Sequence, residues 1–433
     1  MALRIALAGD CLIAKDLVGD AGALEPLQSA DIAFCNVETL FHTFEWPPMA
    51  TSGGLYLQAD PEVVGTLPAL NIGLASLANN HSCDYGPAAL LHSKHLLEDA
   101  GVRCAGAGAT LSEARAPAMT SNGDARIALV SATATFPDHA RAANASPQVS
   151  ARAGVNTLRF TTIVTASADQ IDALESIFRG VATRPPGNRS TLLLPHLVVA
   201  PGDINQVATI PHPADLLQLI EDVERAAEDH DIVLASIHAH ERDQNGAFPP
   251  PFLQMAARQL VDAGATAVVC HGPHVPGGIE WRSGALILYS LGNFFFELEH
   301  LAAQPPDAYE QLGLPAATEI RTFLRHRASA GGPSFLTDQR YWRSYIAVLE
   351  IEQASIVGAE IHPIDLGLDC DETHRGRPRL ASPAQASSIL DSVRKQSAQF
   401  QTEIHGSTVG HISPPVAGRP GAEPRRSPVG SVS

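Results

Sequence analysis

The sequence predicts an α/β fold, in which one layered domain alternates strands with helices and later strands add a second, more antiparallel sheet. Short apolar runs alternate with amphipathic segments in the first half of the chain, and this regularity resumes at residue 214. Several late apolar runs follow one another without a helix between them. The 433 residues, 45% of them hydrophobic, are sufficient for a sizeable core.

The first half of the chain is predicted to begin directly with a strand. Its N-terminus lacks the basic and long apolar regions that are typical of a signal peptide. Asp60 and Pro61 are typical of a helix start, and Gly101 is typical of a helix end. The predicted strands are 3–9, 31–37, 71–78 and 125–132, and the predicted helices are 61–69 and 86–101.

The second half is predicted to end the domain at residue 405. Residues 298–343 resemble an inserted loop-and-helix segment, which can either cover the pocket and set specificity or form a dimer contact through Phe323, Tyr341 and Trp342. The Pro/Gly/Ser-rich tail 406–433 is predicted to be disordered. The predicted helices are 214–230, 252–264 and 383–400. The predicted strands are 231–238, 265–271, 278–281, 284–296 and a hairpin of 345–352 with 355–364.

Composition excludes several classes of protein. The net charge of −17 and the lack of a Lys/Arg run argue against a nucleic-acid partner. No run of 18 apolar residues is present, so no membrane span is predicted. The six cysteines form no CxxC pair, and free buried thiols in a reducing, cytoplasmic location are expected.

Potential metal ligands stand at the ends of five predicted strands. The carboxyl ends of parallel strands converge on one crevice in an α/β sheet, so these side chains are expected to lie close together. In chain order they are Asp10, then Asn36 and Glu38, then Asn79, Asn80 and His81, then His238, His240 and Glu241, and finally His271 and His274.

The residue types at these strand ends suit a divalent metal. Carboxylate, amide and imidazole together favour Mn²⁺, Zn²⁺ or Fe²⁺. Their number exceeds the need of one tetrahedral ion, which favours two ions that share a carboxylate, about 3.5–4 Å apart, and activate a water. Individually each histidine is more often a structural or surface residue than a ligand, and Asp10 can be a simple cap.

The same residues carry a resemblance to the CapA family, named for poly-γ-glutamate capsule synthesis. The matching motifs are Gly9-Asp10, Asn36-Val37-Glu38, NNHSCDYG (79–86), IHAHE (237–241), HGPHVPGGIE (271–280) and LYSLGNFFF (288–296). That family is in turn similar to the calcineurin-like metallophosphoesterases. The resemblance therefore implies a four-layer α-β-β-α sandwich, with two mixed sheets flanked by helices around a dinuclear metal site.

The resemblance also implies a role for each matching residue. Asp10 and His274 would bind the first metal, and Glu38 would bridge the two ions. The second metal would be held by Asn80, His238 and His271. His81 would stay unliganded and act as general acid, with Asp84 orienting its ring. Here Asp10 is followed by Cys11 and Leu12 rather than by the usual D-x-H pattern, so one ion or two remains open.

Further residues are predicted to contact the substrate. Arg152 and Asn156 lie in a loop that can either cross the site or stay solvated. Asn293, in the LYSLGNFFF motif, can line the pocket, hold a metal ligand in place or belong to a tight strand exit that needs glycine. His240 and Glu241 extend the fourth strand end, where His240 can be an extra ligand or a substrate contact. Arg258 is a further candidate for binding an anion.

The function that follows is a metal-dependent hydrolase with two divalent ions, Mn, Fe or Zn. A metal-activated water would attack a phosphoester or an amide bond of a small-molecule or γ-glutamyl substrate. The alternative is a non-catalytic metal-containing accessory protein of a polyglutamate or other biosynthetic complex. The sequence predicts no oligomeric state.

Overall fold

The chain folds as a mixed α/β protein, which confirms the predicted fold class. The computed structural model describes residues 2–15, 19–188, 190–194, 197–242 and 249–415. The helices of this part are α1 (Ala21–Gln28), α2 (Thr66–Ala69), α3 (Gly86–Asp99), α4 (Leu111–Arg115), α5 (Ala168–Ile177), α6 (Pro213–Asp229), α7 (Pro251–Asp262), α8 (Pro306–Gln311), α9 (Ile320–Ser329) and α10 (Pro383–Ser397).

The strands of the described residues form two large mixed sheets and several smaller ones. They are β1 (Leu3–Leu12), β2 (Ile32–Val37), β3 (Leu40–Phe41), β4 (Gln58–Ala59), β5 (Ile72–Ser76), β6 (Arg103–Ala105), β7 (Ala107–Gly108), β8 (Ala118–Asn122), β9 (Ala125–Thr133), β10 (Gly154–Val155), β11 (Phe160–Ala166), β12 (Leu192–Leu194), β13 (Leu197–Pro201), β14 (Val207–Pro211), β15 (Ile232–His238), β16 (Ala267–His271), β17 (Ile279–Arg282), β18 (Ala285–Leu288), β19 (Asn293–Phe296), β20 (Arg343–Glu352), β21 (Ser355–Asp365), β22 (Arg379–Leu380) and β23 (Gly410–Ile412).

The first large sheet has the strand order β22-β21-β20-β1-β2-β5-β6, and β19 and β23 pair with β1 and β21. Strands β1, β2 and β5 are parallel, and β1 pairs in antiparallel fashion with β20. The carboxyl ends of β1, β2 and β5 therefore lie at one edge of the sheet, where the chain presents Asp10, Glu38 and the 79–81 segment.

The second large sheet has the order β17-β18-β16-β15-β9-β8. Strands β9, β15, β16 and β18 are parallel, so β15 and β16 also end side by side. His238 and His271 are the last residues of these two strands and are paired in register. The register therefore brings two predicted ligands next to each other.

Buried apolar clusters hold the sheets and helices together. One cluster contains residues of both large sheets, among them Ile5, Phe34, Leu129, Leu234 and Leu288. A second joins the first sheet to α1 and α3, and it includes Cys35, Leu24 and Leu90. A third joins the second sheet to α6 and α7, and it includes Val233, Leu219 and Leu253. Alternation along each strand thus supplies an apolar residue to both of its faces.

The predicted strand 284–296 is two strands in the structure. Strand β18 pairs with β16 in the second sheet, whereas β19 pairs with β1 in the first. Gly292, between them, has a φ of +80°, a conformation that glycine adopts at little cost. The chain therefore passes from one sheet to the other at the LYSLGN segment, where Gly292 was the available signal of a strand exit.

Two further regions differ from the predictions. The segment 160–211, for which the sequence predicted no strand or helix, contains a four-stranded sheet of order β12-β13-β11-β14. The predicted disordered tail begins at Gly406, but β23 pairs with β21 and buries Ile412. The boundary of the domain is therefore later than residue 405, because a strand of three residues with distant pairing leaves no local signal. Residues 416–433 of that tail lie outside the described residues.

The inserted segment 298–343 contains the short helices α8 and α9. Tyr309 of α8 and Phe323 of α9 are buried in the cluster that also holds the first sheet. Among the helices of the described residues, none has both the length and the apolar character that crossing a membrane requires.

Candidate metal centre

Asp10 lies in the second half of β1 and is fully buried. Its Oδ1 accepts a hydrogen bond from Asn36 Nδ2 at 2.8 Å, and its Oδ2 accepts one from the backbone N–H of Gly272 at 3.2 Å. The carboxylate is therefore fixed by one contact from each large sheet.

Glu38 follows β2 directly and is also fully buried. Neither of its carboxylate oxygens has a hydrogen-bond partner among the described residues. Four imidazole nitrogens surround it instead. The distances from Glu38 Oε1 to Nε2 are 3.7 Å for His238, 3.9 Å for His81, 3.9 Å for His240 and 4.0 Å for His274.

Asp10 and Glu38 together define two candidate ligand groups. Glu38 belongs to both, once with Asp10 and His274 and once with His238 and His240. The distance from Asp10 Oδ2 to His274 Nδ1 is 3.3 Å, and that from Asp10 Oδ1 to His271 Nδ1 is 3.6 Å. His238 Nδ1 also lies 3.9 Å from Asp10 Oδ1, so His238 and His271, which pair in register, both face Asp10. His240 lies where an additional ligand was an open alternative.

The residues at this site fit divalent cations. Besides the oxygens of Glu38, Nε2 of His238 and both ring nitrogens of His271 are buried without a hydrogen-bond partner in the described part of the chain. Buried polar atoms normally have a partner, and leaving one without costs free energy. Carboxylates and imidazoles directed at a common point are a donor set for Mn²⁺, Fe²⁺ or Zn²⁺.

The electrostatics of the site favour neutral imidazoles beside carboxylates. Burial lowers the pKa of His238 to about 3 and that of His271 to about 4, and it lowers the pKa of His240 well below its ordinary value. Burial and the charges of Asp10 and Asp84 raise the pKa of Glu38. Burial would also raise the pKa of Asp10, but a hydrogen bond with His274 and the neighbouring histidines lower it. Neutral imidazoles have a lone pair available for a metal.

The NNHSCDYG stretch connects β5 to α3, and side-chain hydrogen bonds hold it in place. Asn79 donates to the backbone carbonyl of Val37 at 2.8 Å and accepts from the backbone N–H of His81 at 3.1 Å. The distance from Asn80 Oδ1 to His240 Nε2 is 3.3 Å. Asn79 thus fixes the turn to the strand that carries Glu38, and Asn80 faces the histidines.

His81 and Asp84 form a buried pair. The distance between His81 Nδ1 and Asp84 Oδ2 is 2.8 Å, and the same carboxylate accepts hydrogen bonds from the backbone N–H groups of Leu57 at 2.9 Å and Gly53 at 3.3 Å. An ionised carboxylate only accepts, so Nδ1 carries the proton and Nε2 is the ring atom directed toward Glu38.

Two asparagines orient ligands, a role that the sequence left as one alternative for Asn293 and did not assign to Asn36. The distance from Asn293 Oδ1 to His274 Nδ1 is 2.8 Å, and Asn293 Nδ2 donates to the carbonyl of Tyr341 at 2.9 Å. His274 has a φ of +58°, a conformation that this contact helps to hold. Asn36, besides binding Asp10, lies 3.2 Å from His238 Nδ1. In the sequence, the N-x-E motif marks Asn36 and the Gly292-Asn293 pair marks Asn293, and these motifs were the available signals of the two roles.

A cavity of about 190 Å³ opens beside the cluster. Asn80, His81, His240 and His274 line it, so the candidate ligands and His81 are accessible to a small molecule. Its opposite wall comes from the Gly53–Leu57 loop and from the inserted segment, which contributes Arg327, Phe335 and Tyr341. Tyr341 was one of the insert residues for which the sequence left open a pocket cover or a dimer contact. The sequence did not identify Arg327, Phe335 or the Gly53–Leu57 loop, because distant parts of the chain meet there.

The other predicted substrate contacts have different partners. Arg152 donates to the carbonyl of Arg141 at 2.7 Å, and Asn156 donates to the carbonyl of Ser131 at 3.0 Å. Glu241 accepts from the Thr135 hydroxyl at 2.9 Å. The structure thus does not bring these three side chains to the wall of the cavity.

Asn293 and Arg258 likewise make contacts other than the predicted ones. Asn293 is fully buried and holds His274 instead of lining the cavity. Arg258 forms an ion pair with Glu280 at 2.9 Å.

Comparison with known proteins agrees with the motif resemblance. The profile of the family described as "Bacterial capsule synthesis protein PGA_cap" matches residues 6–298. The uncharacterized protein y4sH of Sinorhizobium fredii is 31% identical over 412 residues, which is 92% of this chain and 89% of that protein. The PGA biosynthesis protein CapA of Bacillus subtilis is 39% identical over 85 residues, which is 20% of this chain and 22% of that protein.

A solved structure of a hypothetical protein from Thermus thermophilus covers 84% of this chain and 99% of its own, with a TM-score of 0.39 and 15% identity. The family match extends from β1 to the end of β19 and includes every strand end of the candidate metal centre. The chain therefore belongs to the CapA family of bacterial capsule synthesis proteins.

Proposed function

We propose that this protein is a metal-dependent hydrolase of the CapA and metallophosphatase type. The observation that best supports this proposal is the environment of Glu38. Its buried carboxylate has no hydrogen-bond partner among the described residues and lies within 4.0 Å of four imidazole nitrogens. Its position supports a bridge between two divalent ions, Mn, Fe or Zn. We also propose that the packing of helices on both outer sheet faces is the four-layer α-β-β-α sandwich of metallophosphatases.

The proposed ligands follow the two groups around Glu38. Asp10 and His274 would hold one ion, and His238, His240 and the Asn80 amide oxygen would hold the other. His271, next to Asp10, would complete the set. When bound, such ions polarise a substrate oxygen and lower the pKa of a water. Asn36 and Asn293 keep Asp10, His238 and His274 in the required orientation.

His81 is the proposed general acid. Its Nε2 lies on the cavity wall and can give a proton to the leaving atom of a bound substrate. Asp84 would keep the proton on Nδ1 in the resting ring and stabilise the protonated imidazole.

The class of the bond remains a choice between two. The similarity of the family to metallophosphoesterases favours a phosphoester. The printed name of the Bacillus subtilis relative refers to PGA biosynthesis, which favours a γ-glutamyl amide. The same name supports the second candidate function, a metal-containing accessory protein that does not catalyse a reaction.

His81→Ala separates the hydrolase from the accessory protein. We expect metal content to stay unchanged, because His81 is not a proposed ligand, and kcat to fall by roughly 10²- to 10⁴-fold, the usual contribution of a general acid. Elemental analysis and hydrolysis of p-nitrophenyl phosphate and γ-glutamyl p-nitroanilide are the measurements. His95→Ala, on the exposed side of α3, is the control. Loss of metal in His81→Ala, or unchanged turnover, contradicts the assignment.

A further inference from the structure

The inserted segment brings a cation to the cavity of the candidate metal centre. Arg327, near the end of α9, lines the same cavity as His81, His240 and His274. A second arginine, Arg242, also lines the cavity, and no carboxylate is among the described residues of its wall. Arg327 therefore adds positive charge to a cavity wall that otherwise offers imidazoles close to the reacting centre.

The Arg327 guanidinium has no ion-pair partner within the described residues. Its Nη1 is buried and lacks a hydrogen-bond partner there. Neighbouring arginines are paired by contrast, since Arg321 and Arg375 bind Glu299 at 2.6 Å and 3.1 Å. Burying a guanidinium without an anion costs free energy, so an unpaired one beside a cavity suits an anion that arrives with a ligand.

The surroundings of Arg327 direct its guanidinium to the cavity. Its Cζ lies 5.8 Å from the centre of the Phe335 ring, and that ring packs edge-on against His274 at 6.2 Å. On the other side, Nη2 lies 3.1 Å from the point that a Cβ of Gly54 would occupy. The preceding residue, Gly53, accepts from Asn80 Nδ2 at 3.1 Å. The guanidinium is thus held between two wall segments that both contact candidate ligands.

We propose that Arg327 binds an anionic oxygen group of the substrate, so that the inserted segment selects anionic substrates for the metal centre. This inference rests on the proposed function, in that the cavity is taken as the substrate site. Both bond classes fit it, because a phosphoester carries a phosphate and a γ-glutamyl compound carries a free carboxylate. Arg can bind either group with two parallel hydrogen bonds.

The test is calorimetric binding of inorganic phosphate and of glutamate to the full-length, Mn²⁺-loaded chain. We expect Arg327→Ala to weaken binding of one probe by roughly 10- to 100-fold, the effect of losing charge-assisted hydrogen bonds, with metal content unchanged. The affinity of Arg327→Lys should lie between that of the wild type and that of Arg327→Ala, because lysine keeps the positive charge but cannot form two parallel hydrogen bonds. Arg325→Ala, an exposed arginine of the same helix, is the matched control.

The pattern of outcomes identifies the anion. Selective loss of phosphate binding assigns a phosphoester, and selective loss of glutamate binding assigns a carboxylate substrate. Equal affinity of Arg327→Ala and the wild type for both probes, or no binding of either probe by the wild type, overturns the inference and leaves Arg327 as a partner of Phe335 only. Arg327-dependent binding in a protein that hydrolyses neither p-nitrophenyl phosphate nor γ-glutamyl p-nitroanilide contradicts the proposed function alone.

Discussion

Glu38 is the residue on which the proposed chemistry depends most. Its carboxylate is fully buried near Asp10 and Asp84, two further acids that are also fully buried. Without a cation, these charges repel one another in a medium of low polarity, and the neighbouring neutral imidazoles do not compensate them. The site is therefore costly for the metal-free protein and favourable for the metal-bound one.

Glu38→Gln is expected to have opposite effects in the two states. In chelator-treated protein it replaces an acid whose ionisation is opposed by burial and by Asp10 and Asp84, and the free energy of unfolding at neutral pH should rise by about 1 to 3 kcal/mol. In metal-supplemented protein the same substitution removes a ligand of both proposed ions, so metal content should fall. Urea unfolding and elemental analysis measure the two effects.

Glu62→Gln is the control, because Glu62 is exposed at the start of a 3-10 helix. It should change neither quantity. A Glu38→Gln protein that is less stable than the wild type after chelation would show that the carboxylate is satisfied without metal.

At this scale, the sequence indicated most of the centre but not all of its contacts. Strand-end position was enough to bring Asp10, Glu38 and the histidines together, because parallel strands place their ends at one edge. The direction of a side chain depends on distant contacts, so the sequence left open whether Asn293 lines the pocket, holds a ligand or only belongs to a tight strand exit. Arg327 was missed for the same reason, since it reaches the cavity from a different segment.

The pairing of β1 with two different neighbours positions the ligands at the element scale. Its first half pairs with β20, and its second half, from Asp10, pairs with β19. Gly9 stands where this change occurs, directly against the backbone of Gly292. A Cβ at position 9 would overlap the Gly292 carbonyl oxygen and lie 2.8 Å from its carbon. Close approach of the two backbones therefore requires glycine.

Gly9→Ala should separate β19 from β1 and displace Asp10. We expect a loss of about 1 to 3 kcal/mol in the free energy of unfolding, as for other overpacked sites, together with weaker metal binding. Gly65→Ala is the matched control, because no atom lies within 4 Å of its Cβ position and its φ is −60°. That change should be neutral or raise stability by about 0.4 to 1 kcal/mol.

Unfolding titrations and metal-binding isotherms of the two alanine variants make the comparison. Equal stability of the Gly9→Ala and wild-type proteins would contradict the close backbone contact. The apolar pattern predicted strands β1 and β18 correctly but joined β18 to β19, because an apolar run alone does not reveal a change of sheet.

At the scale of the whole molecule, the two large sheets both end at the candidate metal centre. The first sheet supplies Asp10, Glu38 and the 79–81 segment, and the second supplies His238 and His271 at the ends of β15 and β16. The inserted segment then adds the outer wall of the cavity. The alternation of strands and helices predicted this mixed α/β fold. The small sheet of β11–β14 and the late strand β23 were not predicted, because their short strands pair over distances that local patterns do not report.

The central claim is that this cluster binds metal, and elemental analysis of the full-length protein, purified without chelator and supplied with Mn²⁺, tests it most directly. We expect about two divalent ions per chain, the number that a carboxylate-bridged pair requires. Asp10→Ala and His271→Ala should lose them, and His95→Ala should keep them. Absence of metal from the wild-type protein, or full occupancy in Asp10→Ala, would contradict the metal centre.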